Sequence, residues 1–315
     1  MECYKHDSRM ASSLSSNVVW SVMEDRDGNL WAGTESGLSE WVNGGDFTVV
    51  PLYQLSGSSD GSRFYSIFRD SRGYLWLGGT YGLIRRSPDG QIKWYKADDK
   101  SNPLKHNRVR SIYEDSRYEL WVATDGGINR YDYVAEQFVN YTLTDSLHTH
   151  NANWAYGIVE DRAGMMWVGS YLGGLLGIDR GSLVASAAGK YVEAQVAYNS
   201  TNGLPSNMVT QLAVSPDGSK WALLYKSGKL VHIKGNGSSA VMNVLDVDSL
   251  HLQYIVADRR DGGLWCGLHG GIVYVSAADT VGCRYAFPQA LDVDVHAMAM
   301  VRGNLCVNLA RRVGA

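Results

Sequence analysis

The stretch that decides the fold reads Asn17-Val-Val-Trp-Ser-Val-Met-Glu-Asp-Arg-Asp-Gly-Asn-Leu-Trp-Ala-Gly-Thr-Glu-Ser-Gly-Leu38. It holds an apolar run, an Asp-x-x-Gly turn, a tryptophan and a Gly-rich turn, and this order returns along the chain. The recurring residue is Trp31, Trp76, Trp121, Trp167, Trp221 and Trp265, at gaps of 45, 45, 46, 54 and 44 residues. Cys306 stands in a matching frame 41 residues later. A period of this length indicates a repeat architecture.

Each repeat is predicted to form four short strands. Asp bonds its own backbone and Gly adopts positive φ, so Asp-x-x-Gly closes a tight hairpin between the first two strands. The tryptophan lies in the second strand, a Gly-rich turn leads to the third, and a β-branched or aromatic run forms the fourth. The fourth strands are predicted at Phe47–Tyr53, Gln91–Tyr95, Gln137–Tyr141, Val192–Tyr198, Ala240–Leu245 and Cys283–Phe287. Evenly spaced short strands, without helical periods between them, indicate an all-β chain.

Four strands in about 40–45 residues is the spacing of a β-propeller, whereas solenoid units, the less favoured alternative, are usually shorter or helical. Seven tryptophan-position frames predict a seven-bladed propeller with four-stranded antiparallel blades, forming one domain over residues 1–315. The last blade has strands predicted near Val295–Met300, Asn304–Asn308 and Ala310–Val313. Residues 2–6 resemble the fourth strand and exit at residues 93–98, and we expect them to close the ring by joining the C-terminal blade.

Composition narrows the classes of function. The chain is 45% hydrophobic with 10 Trp, 19 Tyr and 5 Phe, which is enough for a core, and Tyr and Trp also suit wet binding surfaces. Its net charge of −3 and the lack of a basic run argue against nucleic acid as a partner. No stretch reaches the roughly 18–20 apolar residues that span a bilayer, and no signal peptide opens the chain, so no direct membrane contact is expected. The four scattered cysteines predict free thiols rather than a zinc site or disulfides.

The repeat Asn-x-Val-x-Ser-Ile/Val-x-Glu-Asp-x-x-Gly-x-Leu-Trp-x-Gly-Thr-x-x-Gly-Leu-x-x-Tyr resembles that of the two-component regulator propeller family. It is legible in Asn17–Trp41, Asn107–Tyr131 and Asn153–Asp179, and partly in Ser62–Arg86 and Asn207–Ile233. The connector Thr201–Asn207 resembles the family's linker between blades. The resemblance covers nearly the whole chain and is strongest in the first four repeats.

The resemblance implies a periplasmic sensor region of a hybrid two-component system from gut Bacteroidetes, in which tandem propellers respond to breakdown products of complex carbohydrates. It therefore implies a non-catalytic, ligand-binding propeller with an oligosaccharide ligand and no cofactor, and with a second propeller or another copy as a partner. The chain departs from the family pattern, because it has one propeller and no β-sandwich, membrane helix, kinase or DNA-binding domain. We expect the ligand-reading or spacer module of a sensor, or a stand-alone relative.

One face of the predicted propeller carries the linkers between blades and the turns between second and third strands. Its residues differ from blade to blade in charge, polarity and aromatic character, so this face is where we expect function. One residue per blade, early in the innermost strand, is expected near the mouth of the central channel: Trp20, Tyr65, Arg110, Tyr156, Thr210, Gln253 and His296. A second set follows the tryptophan strand: Glu35, Thr80, Asp125, Tyr171, Tyr225 and His269. Aromatic faces stack on sugar rings, while Arg, Gln and His bind hydroxyls or carboxylates. The alternative is that Trp20, which shares strand parity with Val22, packs between blades.

Two other functions stay open from the sequence. A protein-interaction or dimerisation scaffold would show a large apolar patch on the outer strands or on one face. A metal-assisted lyase or hydrolase, of the kind found among streptogramin lyase propellers, would use His269, His296, Asp125 and Glu35, which have no diagnostic spacing. His148 and His150 are separated by two positions in a linker, which is a poor basis for a metal site. The Asp-x-x-Gly turns and the repeated tryptophans are interpreted as turn chemistry and core packing.

Overall fold

Short strands dominate the computed structural model, which describes residues 3–43, 46–51, 63–100, 104–187, 189, 191–235, 240–247, 252–288, 293–301 and 303–311. They form six blades of four antiparallel strands, one of which gains a fifth, parallel strand, followed by one two-stranded sheet. Blade one contains β1 (Val19–Glu24), β2 (Leu30–Thr34), β3 (Gly37–Asn43) and β4 (Asp46–Pro51). Blade two contains β5 (Ser66–Arg69), β6 (Leu75–Gly79), β7 (Gly82–Arg86) and β8 (Ile92–Tyr95). Blade three contains β9 (Val109–Glu114), β10 (Leu120–Thr124), β11 (Gly127–Asp132) and β12 (Gln137–Thr144).

The second half of the chain repeats this plan with one insertion. Blade four contains β13 (Ala155–Glu160), β14 (Met165–Ser170), β15 (Gly174–Asp179) and β17 (Val196–Tyr198). Helix α1 (Arg180–Ala185) and strand β16 (Tyr191–Glu193) lie between β15 and β17 in the chain. Blade five contains β18 (Val209–Val214), β19 (Lys220–Leu224), β20 (Lys229–Lys234) and β21 (Val241–Asp246). Blade six contains β22 (Leu252–Ala257), β23 (Leu264–Leu268), β24 (Gly271–Val275) and β25 (Val281–Ala286). The closing sheet contains β26 (Val293–Val301) and β27 (Asn304–Arg311).

The propeller prediction holds, but the predicted number of blades is wrong, because the structure has six blades and not seven. The frame around Cys306 belongs to the two-stranded closing sheet. Its strand β26 packs between β22 and β1, the inner strands of blades six and one, and so completes the circle. The third strand predicted at Ala310–Val313 begins inside β27, and residues 312–315 lie outside the described residues. A repeat frame marks one hairpin, and counting frames therefore overestimates the number of complete blades.

The predicted closure of the ring by residues 2–6 is also wrong. Residue 2 lies outside the described residues, and residues 3–6 are not part of any described strand. They lie against blade one, where the ring centroid of Tyr4 is 5.7 Å from that of Phe47 in β4. The contact across the closure is made by β27 instead, since the side-chain amide of Asn308 donates to the carbonyl of Val19 at 2.8 Å. Side-chain and packing contacts of the last hairpin therefore close the ring.

In each blade, the turn between the first and second strands supplies a hydrogen-bond acceptor for the repeated tryptophan. Five of them are buried and Trp265 is half-buried. In every blade the indole Nε1 donates, over 2.7–3.2 Å, to a side chain in the preceding turn: Asp25, Asp70, Asp115, Asp161, Ser215 and Asp258. The same carboxylates accept backbone N–H groups of their own turns, as Asp25 does from Asn29 at 2.9 Å. The Asp-x-x-Gly motif thus joins a tight turn to the core of its blade.

Several of these buried carboxylates also accept a hydrogen bond from a side chain of the following blade. Arg69 of blade two donates to Asp25 at 2.8 Å. The hydroxyl of Tyr133 in blade three donates to Asp70 at 2.6 Å. These bonds pass from blade to blade around the ring, so that the turn carboxylate also fixes how neighbouring blades sit together.

Acid is expected to destabilise the fold through these carboxylates. Burial alone would raise the pKa of Asp25, but hydrogen bonds from Trp31, Asn29 and Arg69 outweigh it and bring the pKa from 3.8 to about 2. A carboxyl group whose pKa is depressed by folding stabilises the fold above its unfolded pKa and loses that contribution as the pH falls through the folded pKa. The lowering of the Asp25 pKa corresponds to about 2 kcal/mol of folding stability. We expect the urea concentration at the unfolding midpoint to decrease as the pH is lowered from about 5 to about 2. The decrease should be less steep in Asp25→Asn. Equal slopes for the two proteins would contradict this assignment.

Glycine two residues after the tryptophan allows neighbouring blades to approach closely. A Cβ atom placed on Gly169 would lie 2.8 Å from Cγ1 of Val209, the first residue of the inner strand of blade five. A Cβ atom on each equivalent glycine would likewise lie too close to the inner strand of the next blade or of the closing sheet. The pairs are Gly33 with Ile67, Gly78 with Val109, and Gly267 with Val295. The short Trp-x-Gly motif is therefore a packing requirement between blades.

Gly169→Ala is expected to lower the free energy of unfolding by about 1–3 kcal/mol, because Val209 is fully buried and has little room to withdraw. Gly157→Ala in the same blade is the matched control, since its Cβ would meet Leu212 at an ordinary 3.5 Å. Urea denaturation of both variants tests the prediction. A loss for Gly157→Ala as large as that for Gly169→Ala would show that the cost does not come from the approach of the blades.

An insertion in blade four explains the 54-residue gap between Trp167 and Trp221. The single strand predicted at Val192–Tyr198 is in fact two strands. Strand β16 leaves blade four and pairs in parallel with β12 of blade three, while β17 forms the outer strand of blade four. The buried Arg180 at the start of α1 donates to Asp115 of blade three at 2.6 Å and also to Glu119. The insertion therefore ties blades three and four together and covers the outer edge of β12.

Candidate ligand-binding site at the channel mouth

β-Bulges position the predicted channel-mouth residues. In β1, for example, the register against β2 shifts between Val19↔Thr34 and Ser21↔Gly33, which leaves Trp20 as the extra residue. The extra residues in six inner strands are Trp20, Arg110, Tyr156, Thr210, Gln253 and His296. Tyr65 directly precedes the first residue of β5. A bulge turns one side chain out of the regular alternation, and bulges are common beside binding sites.

Backbone hydrogen bonds hold the second predicted set beside the first. The N–H of Asp125 donates to the carbonyl of Arg108 at 3.1 Å, and that of Tyr171 donates to Trp154 at 3.0 Å. The same bond joins Glu35 to Val18 and Tyr225 to Met208. Each of these turn residues therefore lies next to the residue two positions before the bulge, at the start of the inner strand.

Aromatic and cationic side chains from the closing sheet and blades one to three form a continuous row. The ring of Trp20 lies 6.2 Å from that of Tyr65 and 6.2 Å from that of His296, between centroids. The guanidinium carbon of Arg110 is 5.3 Å from the ring centre of Tyr65 and 4.2 Å from that of Tyr156. Cation–π contacts of this length are attractive. Arg110 of blade three therefore links the ring of Tyr65 in blade two to that of Tyr156 in blade four.

The row continues over blades four and five. Tyr156 stacks on Tyr171 with centroids 5.5 Å apart and an interplanar angle of 25°. Tyr171 also lies 5.5 Å from Trp154 and 5.6 Å from Tyr225. Trp154 and Tyr225 are 44% and 40% exposed, so both offer ring surface to solvent. We call the whole set the aromatic band: His296, Trp20, Tyr65, Arg110, Tyr156, Trp154, Tyr171 and Tyr225.

A salt bridge fixes the middle of the aromatic band. Arg110 binds Asp125 in a bidentate manner, at 2.7 Å from Nε and 3.0 Å from Nη2. Burial alone would lower the pKa of Arg110, but its hydrogen bonds to Asp125 outweigh burial and raise it. A second arginine, Arg108, approaches the same carboxylate at 3.5 Å. The guanidinium of Arg110 is thus charged and held in one orientation.

Other predicted residues lie outside the aromatic band in the described structure. Gln253 is exposed and Thr210 is half-buried in blades six and five. His269 has its Nδ1 atom 2.9 Å from Asp294 of the closing sheet. The blade-six side of the mouth is therefore polar, and the predicted ring is uneven around the channel.

Sequence reasoning missed the position two residues before each predicted channel-mouth residue. Among the described residues, that position contributes Val18, Arg63, Arg108, Trp154, Met208 and Asp294. Arg63 is exposed and lies 4.9 Å above the ring of Trp20. The alternation of side chains along a strand could have revealed this position, because residues i and i−2 face the same side of a strand.

The residues proposed for a metal site are not gathered together. Among the described residues, no group of three or more His, Cys, Asp or Glu side chains could hold a metal ion. His150 instead lines a separate groove of about 720 Å³ between the linkers at the outer edge, where its Nδ1 is 2.9 Å from Asp145. Asp145 also accepts from the backbone and hydroxyl of Thr149, so this pair is engaged within its own loop. The aromatic band is the stronger candidate for a ligand site.

Comparison with known proteins identifies the repeat. Residues 13–36, 58–81 and 103–126 match the family model described as Two component regulator propeller. The extracellular domain of a hybrid two-component system from B. thetaiotaomicron is 36% identical, over 97% of this chain and 42% of its own length, with a TM-score of 0.77. The chain belongs to the two-component regulator propeller family. No curated protein matches this regulator propeller.

Two more distant structures share the fold alone with the regulator propeller. The extracellular domain of a second hybrid two-component system from B. thetaiotaomicron is 18% identical, over 95% of this chain and 39% of its own, with a TM-score of 0.71. Virginiamycin B lyase from Staphylococcus aureus is 12% identical, over 90% of this chain and 88% of its own, with a TM-score of 0.65.

The chain spans less than half the length of the two extracellular domains from B. thetaiotaomicron that it resembles at 36–37% identity. In the part of the chain that the structure describes, no helix has the length and apolar character needed to cross a membrane.

Proposed function

We propose that this chain is the ligand-reading propeller of a two-component sensor, located outside the cytoplasm, and that it binds oligosaccharides released from polysaccharides without catalysing a reaction. The aromatic band is the observation that carries the proposal. It presents exposed ring surface at Trp154 and Tyr225 beside fixed hydrogen-bonding groups at Arg110 and Asp125. Stacking on a pyranose combined with a few oriented polar groups is how proteins recognise sugars through amphipathic side chains.

The relatives support the sensor half of the proposal. The structures at 36–37% identity are extracellular domains of signalling systems. A sensor domain reads a ligand by shifting between conformations, and it needs a binding site rather than a catalytic centre. Because the aromatic band spans five blades and the closing sheet, a ligand bound on it would contact several blades together.

A protein-interaction surface is the second candidate. Leu172 and Tyr81 lie in turns on the same face as the aromatic band and are 56% and 51% exposed. Exposed apolar side chains on one face fit a protein partner as well as a sugar. Titration with oligosaccharides separates the two functions, because a surface that serves only as a protein contact would not bind them.

Tyr171→Ala is expected to weaken oligosaccharide binding at least tenfold (about 1.4 kcal/mol), because Tyr171 contacts three other rings of the aromatic band. Isothermal titration with a panel of neutral and acidic oligosaccharides measures the effect. Tyr285→Ala, at an exposed tyrosine on the outer strand β25, is the control and should bind as the parent does. If the parent chain binds no member of the panel, the sensing proposal fails. If Tyr171→Ala binds unchanged, the site lies elsewhere.

A further inference from the structure

We propose that the ligand carries an anionic group, a carboxylate or a sulfate ester, next to a sugar ring, and that Arg63 and Arg108 bind this group. The inference rests on the proposed function and adds a charge requirement to it. Its starting point is an imbalance of charge at the start of the inner strands of blades two and three.

One carboxylate at this place faces two arginines. Asp125 is fully engaged by the bidentate contact with Arg110. Arg108 reaches the same carboxylate only at 3.5 Å, and its side chain is 44% exposed. Because a single carboxylate balances one guanidinium, Arg108 supplies an excess positive charge on a partly exposed side chain.

Arg63 adds a second excess charge on the neighbouring blade. Its guanidinium carbon lies 4.9 Å from the ring centre of Trp20. Its side chain is exposed, and its contact with a described residue is the one with the ring of Trp20. Arginine stacked on an indole keeps its in-plane donors free, so Arg63 can bind an anion while Trp20 offers the adjoining ring surface.

Two other acidic side chains of this face are not paired with these arginines. Asp294 lies 2.9 Å from His269, and Glu35 lies in the turn of blade one, where its N–H donates to Val18. At the equivalent position, blades one, four and five carry Val18, Trp154 and Met208, so among the described residues arginine stands at this position in blades two and three. Planar guanidinium donors match carboxylate and sulfate oxygens in a forked geometry. An acidic sugar placed with its ring on the aromatic band would bring its anion to this pair.

Matched ligands test the charge requirement. Calorimetry at about 50 mM salt would compare an oligogalacturonate with its methyl ester, and a sulfated disaccharide with its desulfated form, each on the full chain. We expect one acidic member to bind at least tenfold more tightly than its neutral partner and to lose most of that advantage at about 500 mM salt, because counterions screen exposed charges. The pair that shows the difference identifies the anion as carboxylate or sulfate.

Variants test the assignment to these two arginines. The double variant Arg63→Gln, Arg108→Gln should remove the tenfold preference and leave the affinity for the neutral partner within twofold. Arg117→Gln, at an exposed arginine in the turn between β9 and β10, should keep the preference. Neutral oligosaccharides that bind as tightly as acidic ones would overturn this inference while leaving the proposed function standing. Absence of binding by every ligand would overturn both.

Discussion

Asp115→Ala is expected to lower the free energy of unfolding by about 3–5 kcal/mol, the cost of breaking a buried ion pair by removing one partner. Asp115 is buried and accepts hydrogen bonds from Trp121 at 2.9 Å and from Arg180 at 2.6 Å, as well as from the backbone of its own turn. Burial alone would raise its pKa, but these bonds keep the pKa below the ordinary value, so the group is ionised. Alanine would remove the buried carboxylate that Arg180 Nε binds, so that Glu119 is its remaining acidic partner, and would leave one indole N–H without its acceptor.

Two further variants separate this explanation from a general effect of losing a turn aspartate. Asp132→Ala removes a carboxylate that accepts only backbone bonds from Val134 and Ala135, and should cost about 1 kcal/mol. The double variant Asp115→Ala, Arg180→Met should be more stable than Asp115→Ala alone, because it no longer buries a guanidinium that has lost its buried partner. Urea denaturation of the four proteins gives the comparison. A similar loss for Asp115→Ala and Asp132→Ala would contradict the role assigned to Asp115.

Trp76→Ala is the second large effect, with an expected loss of about 3–5 kcal/mol. Trp76 is fully buried, its ring lies 5.1 Å from that of Tyr131 and 6.0 Å from that of Tyr95, and its Nε1 donates to Asp70 at 2.7 Å. Alanine would leave a cavity between blades two and three and remove one donor from a buried carboxylate. Both consequences add to the loss of apolar burial.

Trp76→Phe and Trp154→Ala are the matched controls. Phenylalanine keeps most of the ring volume but removes the N–H, so its smaller loss measures the bond to Asp70. Trp154 is 44% exposed, and Trp154→Ala should cost about 1 kcal/mol or less while weakening ligand binding. Thermal unfolding and calorimetry together report both properties. If the two alanine variants lost the same stability, the distinction between core and surface tryptophans would be wrong.

The architecture of the blades was accessible from the sequence because it repeats. Asp-x-x-Gly, Trp-x-Gly and the run that forms the outer strand recur with a fixed period, and each encodes a local structure through turn chemistry or packing. The period alone did not reveal how the ring ends. The Cys306 frame encodes one hairpin, and whether further strands complete it depends on segments distant in sequence, which local patterns do not specify.

Two other features depend on contacts between distant segments. The departure of β16 from blade four follows from its pairing with β12, and the register of a parallel pair is set by its partner. The residues 3–6 resemble an outer strand, yet Tyr4 packs on Phe47 of the first blade. Sequence similarity between strands predicts conformation, whereas the choice of partner is a tertiary property.

The candidate site stays a prediction, but its residues could be chosen from the sequence. Counting along the repeat selected Trp20, Arg110 and Tyr156, and the structure has them at equivalent positions of three inner strands. The bulges at these residues, and the contribution of Arg63 and Trp154, arise from the register of the inner hairpins. A bulge carries little sequence signal here, because the residues at it range from tryptophan to threonine.

The most direct test of a ligand site on the aromatic band is an NMR titration of the 10 indole N–H signals, assigned by single Trp→Phe variants. The probe is whichever oligosaccharide binds most tightly in calorimetry. The account predicts that it shifts the signals of Trp20 and Trp154 and leaves those of the core tryptophans Trp31, Trp76, Trp121, Trp167 and Trp221 in place. Binding that moves only other indoles, such as Trp94 or Trp265, would contradict it.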